Sequence, residues 1–445
     1  MTISLAQSIV ALLLGIVLIV VLTTKYKIHA FFALTVACLA VGLGLNLPLT
    51  DIVATTKTGF GHIIGALGLI IIFGTALGTI LEHTGATMVL ANAILRMTGT
   101  RRAAGAMNIT GYVVGLPIFC DSGYIVLSSL NKNMARRTGT AMAFMAASLA
   151  SGLYAVHCLV PPHPGAAAAT ATLSADFGHV ILYGMLVAIP TSFCGFLWTR
   201  YASKNISVTT PETTDSVDEQ SAWKQLPAVW LSVLPIAIPI LLIGIRSFMD
   251  IGDTSSFLTK MVHALGMPEI ALGIGIILAI CGKRDWKRED FNKLLRQSVE
   301  KAGDILLIIG AGGAFGALIA QANIAQYLSG NGIVSHMGIF FPFLVAALLK
   351  TAQGSSSVAI ITTATMVLPM LPSLGLDHDL GKVFTVLAMG AGSMMVSHAN
   401  DSYFWVISRF SGVGMNVMLR VYTLATLVMG AVAIGMIYVL YSFLT

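Results

Sequence analysis

Charged side chains are scarce in this chain. Asp, Glu, Lys and Arg make up 10% of its 445 residues, where soluble domains carry roughly 25%. That scarcity excludes an ordinary water-soluble globule. Cysteine is sparse too: Cys38, Cys120, Cys158, Cys194 and Cys281 all fall in apolar segments and form no CxxC pair. Their spacing excludes a disulfide framework and a zinc site. Short ligand motifs such as HExxH are missing, so no metal and no other cofactor is expected. No basic segment precedes the first apolar run, so residues 5–23 are expected to be a retained span rather than a cleaved signal.

What the chain has instead is apolar length. Hydrophobic residues reach 56% and the mean hydropathy is +0.86. Apolar segments run roughly over 5–23, 28–46, 62–81, 103–131, 139–175, 178–199, 227–246, 266–281, 303–322, 337–371, 381–411 and 419–443. Several approach the ~20 residues that cross a bilayer. The expectation is an all-α polytopic membrane protein whose surrounding partner is lipid. The net charge of +6 does not imply a nucleic-acid partner, because Lys and Arg sit mostly in short loops between apolar segments.

The organising stretch is HCLVPPHPG, His157 to Gly165. Its Pro-Pro pair cannot continue a helix, since proline lacks the N–H donor and its ring clashes with the preceding turn. Within hydrocarbon, broken backbone is tolerated only where protein or a watery cavity covers it. A break there is a pointer to a transporter binding site. Segment 103–131 is bracketed by Arg101 and Arg102 before it and by Lys132, Arg136 and Arg137 after it. If both brackets are cytoplasmic, the segment is a re-entrant hairpin with its tip at FCDSG, Phe119 to Gly123. Placing the N-terminus outside puts most of the 25 Lys and Arg residues inside, and both termini then face the outside. Glu82, His83 and Asp304 read as interfacial, and the basic 283–301 stretch as a solvated cytoplasmic loop.

The halves resemble each other. GTALGTILEHTGA, Gly74 to Ala86, lines up with GGAFGALIAQANI, Gly312 to Ile324; the FCDSG tip meets AQGSSS, Ala352 to Ser357; the Pro-Pro break meets SHANDS, Ser397 to Ser402. The expected organisation is two inverted-topology repeats, 1–199 and 225–445, joined by a cytoplasmic linker at 200–224. Each repeat carries one re-entrant hairpin and one broken transmembrane helix, for about ten spans plus two hairpins in all.

Four breaks then leave four helix starts aimed at one cavity, and free N–H groups at helix starts favour an anion. Capping residues are expected at Ser122, Pro164, Ser355 or Ser356, and Asp401 or Ser402. The candidate substrate-binding residues are Asp121, Ser122, Gly123, His163, Pro164, Gly165, Lys350, Gly354, Ser355, Ser356, Ser357, His398, Asn400 and Asp401. Lys350 is either an anion partner or the counter-charge to Asp121 or Asp401, because an intramembrane lysine needs a partner. A carboxylate in a partly dry site can hold a proton, and histidine titrates near neutral pH. Asp121, His163 and Asp401 are therefore the candidate proton-coupling groups. A passive anion channel and an intramembrane hydrolase remain rival readings; a channel needs a continuous polar pore, and a hydrolase needs a nucleophile with a base in reach.

The PPHPG stretch (Pro161 to Gly165), LLIIGAGGAF (Leu306 to Phe315), GSSSVA (Gly354 to Ala359) and SHAND (Ser397 to Asp401) followed by Phe404-Trp405 together resemble the gluconate permease family. The resemblance covers nearly the whole chain. It implies a bacterial inner-membrane symporter, often a homodimer, that takes up gluconate or a related hydroxy acid with a proton. Sodium is the second choice of coupling ion. It further implies an elevator-type mechanism, in which a mobile domain carries the site against a fixed scaffold. Asp121 stands where gluconate members tend to have glutamate, and Lys350 where an arginine is expected. These departures keep D-glycerate and D-serine as alternative substrates.

Overall fold

A chain this apolar can enter lipid only if its backbone N–H and C=O groups are satisfied internally, which a helix does locally. The computed structural model describes residues 5–99, 102–204, 206, 226–249, 257–283, 286–321 and 337–445, and every regular element among the described residues is helical. The expected linker lies outside the described residues except for 200–204 and 206, as do Arg101, Arg284 and residues 322–324 of the matched stretch.

The first part of the chain forms α1 (Leu5–Thr24), α2 (Ala30–Gly44), α3 (Leu49–His83), α4 (Ala86–Thr98), α5 (Ala103–Gly115), α6 (Cys120–Thr138), α7 (Met142–Leu159), α8 (Pro164–Thr172) and α9 (Phe177–Ala202). The second forms α10 (Val229–Met249), α11 (Phe257–Leu265), α12 (Pro268–Cys281), α13 (Arg288–Gln321), α14 (Phe340–Gln353), α15 (Ser356–Val367), α16 (Asp379–Ser393), α17 (Ser402–Ser411), α18 (Met415–Met418) and α19 (Leu424–Leu444).

Among the described residues six helical stretches are long and apolar enough to cross a membrane, or seven if the pair Thr259–Leu265 and Pro268–Cys281, bent by 68°, is one span. The remaining apolar helices are shorter, and several of them end at chain breaks. Three helices run well beyond their expected segments, among them α6, which continues to Thr138. α3 begins at Leu49, and α13 absorbs most of the basic stretch read as a loop. Residues 288–302 contain no Pro or Gly and are rich in Lys, Arg, Glu, Leu and Gln, all good helix formers, so the helix continues out of the apolar segment. α4 was missed because its 13 residues are too short to register as a span.

Small residues decide which helices touch. α3 and α13, which carry the two matched glycine-rich stretches, pack along each other. A Cβ added at Gly59 would lie 2.6 Å from the Gly313 carbonyl oxygen and 2.7 Å from the Ala317 Cβ. α7 is apolar on all sides and buries every residue except Phe144, the pattern of a helix surrounded by protein. It meets α5 glycine to backbone: a Cβ on Gly152 would stand 2.1 Å from the Asn108 carbonyl oxygen. Asn108 secures this contact by donating to the Ser148 carbonyl at 3.0 Å.

Gly152→Val should therefore force α5 and α7 apart and lower the thermal midpoint in detergent, with overpacking costing about 1–3 kcal/mol or more. Gly61→Ala, where nothing lies within 4 Å, is the control and should leave the midpoint unchanged or slightly raised.

Candidate functional site

Each of four helices starts at an interruption, and each interruption has a local cause. After α5, residues 116–119 leave the helix, and α6 restarts at Cys120 behind an extended Phe119. Ser122 is therefore not the cap expected of it; it sits in the first turn, and Phe119 makes no side-chain cap bond. α7 stops before Pro161 and Pro162, and α8 restarts with Pro164 at its first position, where a missing N–H does no harm. α14 ends at Gly354, whose φ of +84° suits glycine. Ser355 then caps α15 by accepting from the Val358 N–H at 3.3 Å. Asp401 caps α17, accepting from the Tyr403 N–H at 2.9 Å.

These four starts border one cavity of about 440 Å³, lined by residues that include Cys120, Asp121 and Ser122 of α6, Pro164 of α8, Ser355 to Val358 at α15, and Asp401 to Tyr403 at α17. Partly positive helix starts and serine hydroxyls thus face the same space. A volume of this size is in the range of small-molecule sites. The wall is completed by Tyr154 and His157 of α7 and by Lys301, Asp304, Ile305 and Ile308 of α13. The side chains of Lys301 and Asp304 are 43% and 63% exposed, which marks the open side.

Of the expected site residues, Asp121, Ser122, Pro164, Ser355, Ser356, Ser357 and Asp401 line the cavity. The others stand behind it. His163 is buried, with Nε2 2.7 Å from the Gly115 carbonyl oxygen at the end of α5, so it braces one break against another. His398 and Asn400 bond the Thr351 carbonyl at 3.2 and 2.8 Å and close the end of α14. Gly354 lets the third and fourth breaks touch, since a Cβ there would be 2.1 Å from the Asn400 carbonyl oxygen. Gly165 does the same between α8 and α15, with Ser357 Cα 3.1 Å from its would-be Cβ. Gly123 packs toward Leu153.

Lys350 is fully buried and is also absent from the cavity wall. Its Nζ donates to Asp401 Oδ2 at 2.6 Å and to the Gly354 carbonyl at 2.7 Å, and the Ser397 hydroxyl donates to the same carboxylate oxygen. Of its two expected roles, the geometry matches the counter-charge to Asp401. Three donors thus converge on the Asp401 oxygens. Asp121 differs: it lines the cavity, and its Oδ1 is buried with no hydrogen-bond partner. Among the described residues, no group of three or more His, Cys, Asp or Glu side chains is placed to hold a metal ion.

Sequence reasoning missed Tyr154, Lys301, Ile305, Ile308, Ile361 and Tyr403 as cavity residues and set Asp304 at an interface. The signal was available on α13, where positions 301, 304, 305 and 308 follow the spacing of one helical face. It was hidden by the reading of 283–301 as a loop. Glu82 is also more enclosed than an interfacial residue, at 15% side-chain exposure, with its Oε2 3.6 Å from Lys301 Nζ.

Apolar helices interrupted around a shared polar cavity define a multi-pass membrane permease. The chain belongs to the GntP permease family, whose model, described as GntP family permease, matches residues 7–444. It is 31% identical over 437 residues to the gluconate permease of Pseudomonas aeruginosa, covering 96% of each chain. It is 32% identical over 433 residues to the D-serine transporter DsdX of Escherichia coli, covering 95% of this chain and 96% of that one. Among solved structures, the YdaH transporter of Alcanivorax borkumensis shares the fold at a TM-score of 0.62 and 15% identity, over 89% of this chain and 90% of that one. The family and these relatives are transporters, not enzymes.

The Lys350–Asp401 pair makes a sharp stability prediction. Lys350→Met alone and Asp401→Asn alone should each destabilise by about 3–5 kcal/mol, because each leaves one buried charge without its partner. The Lys350→Met/Asp401→Asn double variant should recover at least half of that loss in thermal unfolding. Simple addition of the two losses would show that the pair does not act as a unit.

Proposed function

We propose that this permease is a secondary active transporter that brings gluconate or a related small hydroxy carboxylate into the cytoplasm in symport with protons. The observation that carries the reading is a single cavity in which four helix starts and the hydroxyls of Ser355, Ser356 and Ser357 surround Asp121, whose Oδ1 has no partner. The helix starts and hydroxyls suit a polyhydroxy anion. Asp121 suits a proton, and an anion entering with a proton adds no net charge to the membrane-embedded site. His163 and Asp401 serve the coupling indirectly, by holding the breaks around Asp121.

The direct substrate residues in this reading are Asp121, Ser122, Pro164, Ser355, Ser356, Ser357 and Asp401. Gly123, Gly165, Gly354, His163, Lys350, His398 and Asn400 shape the wall behind them. We read the chain as two inverted repeats, 1–199 and 225–445, with re-entrant hairpins at the α5–α6 and α14–α15 breaks. The positive-inside pattern places Lys301 and the cavity mouth on the cytoplasmic side, and both termini on the other. Transport proceeds by moving the cavity-bearing helices against a scaffold that includes α3 and α13, within a homodimer in the bacterial inner membrane.

D-serine is the second reading, and Asp121 favours it specifically, since a substrate ammonium would supply the partner that its Oδ1 lacks. D-glycerate fits the same hydroxyl-rich wall. Sodium in place of the proton would rely on oxygens at the unwound breaks.

Uptake into proteoliposomes separates these readings. An inwardly directed proton gradient without sodium should drive accumulation of gluconate, with D-serine as the competitor to test. Asp121→Asn should abolish proton-driven accumulation while leaving some exchange of labelled for unlabelled substrate. Full proton-driven accumulation by that variant would remove Asp121 from the coupling, and a strict sodium requirement would replace the proton. Uptake that never saturates would favour a channel.

A further inference from the structure

With Lys350 sealed behind the wall by Asp401 and Gly354, the Lys or Arg side chain that borders the cavity among the described residues is Lys301. Lys301 does not end its influence there. A small extension of about 10 Å³, a second pocket sharing lining residues with the main cavity, lies between α3, α6 and the 116–119 break. Phe119, Ser122 and Lys301 line both spaces, and Glu82 lines the extension alone. The Lys301–Glu82 separation of 3.6 Å is an ion contact but longer than a formed N–H···O hydrogen bond. Meanwhile Glu82 Oε1 is buried with no hydrogen-bond partner. Lys301 thus holds Glu82 loosely with one side of its ammonium while facing the substrate space with the other.

Among the described residues, the charges around Glu82 are few. α13 presents Lys301, with Asp304 one turn on and itself 2.7 Å from His29 Nε2. α6 presents Ser122, next to Asp121. On α3 the neighbouring His83 stacks on Trp286 and lies 3.4 Å from Lys283 Nζ. The other helices packed on α3, namely α2, α4, α8 and α12, place no titratable side chain in the extension.

We infer that Lys301 and Glu82 form the switch that links substrate binding to proton binding. Lys301 receives the substrate carboxylate, and Glu82, left without its counter-charge, takes up the proton that Asp121 holds in transit. The proton balance is simple. One carboxylate, Glu82, becomes a neutral acid as the substrate carboxylate replaces it beside the ammonium, so the site gains one anion and one proton together. An enclosed carboxylate that loses its counter-charge, with only the Ser122 hydroxyl beside it, is costly in free energy, and protonation relieves that cost. Linkage is reciprocal: protonation of Glu82 frees Lys301 and raises substrate affinity by the same factor. This inference rests on the proton-symport reading above.

The test uses the purified full chain and gluconate, with calorimetric titration in buffers of different ionisation heat to count protons taken up on binding. The wild type should take up about one proton per gluconate at a pH where Glu82 starts ionised. Glu82→Gln should take up none, and it should bind gluconate at least about threefold tighter and with little pH dependence, because the competitor for Lys301 is gone. A merely structural loss would weaken binding instead. Glu82→Asp should restore proton uptake. Lys301→Gln should weaken binding by about tenfold or more, and Lys301→Arg should recover most of it. Undiminished proton uptake in Glu82→Gln, or unchanged affinity in Lys301→Gln, overturns the inference. A wild type that binds gluconate with no proton uptake overturns the symport reading itself.

Discussion

An ion pair with its lysine fully buried ties the second half of this protein together. Lys350 reaches from near the end of α14 to the carboxylate that starts α17, and on the way satisfies the carbonyl of Gly354. One ammonium therefore closes two helix interruptions at once. Its ring neighbour Tyr154, 6.0 Å away on α7, belongs to the first half, so the pair also marks where the halves meet. The underlying constraint is that a helix end away from water must find partners for its free N–H and C=O groups. Each interruption here is completed by atoms from another: His163 by the Gly115 carbonyl, and Asn400 by the carbonyls of Thr351 and Ala352.

That mutual completion leaves the substrate space with a particular character. Polar groups used for bracing are turned inward to the protein, while helix starts, five serines and Asp121 are left facing the cavity. The wall is preorganised for an anion without a buried cation spent on it, since Lys350 is neutralised and Lys301 sits at the exposed edge. In the proposed function such an arrangement would attract a carboxylate without trapping it. A transporter needs that moderation, because its ligand must leave as readily as it enters.

Several elements were legible from local chemistry. The Pro161-Pro162 pair and the glycine at 354 announce their interruptions whatever surrounds them, because proline removes a donor and glycine tolerates φ of +84°. Ser355 and Asp401 are caps by residue type and position. The roles of the histidines were not legible. His157 and His163 lie six positions apart on one break, yet one lines the cavity and the other props up α5. Hydropathy also hid the cavity face of α13, because charge in the first turns of a long helix reads as a solvated loop until the helix is seen to be continuous.

The amino-acid sequence by itself determined that this chain lives in a membrane, where its helices break and which residue types stand at the breaks. These are properties of single residues and their immediate neighbours: transfer free energy, a missing N–H, a permitted left-handed φ. Only the tertiary structure decided which polar groups brace and which face the cavity. That division depends on contacts such as Lys350 with Asp401 and Lys301 with Glu82, whose members are remote in the chain. Their energies come from burial and distance, which no local spacing encodes.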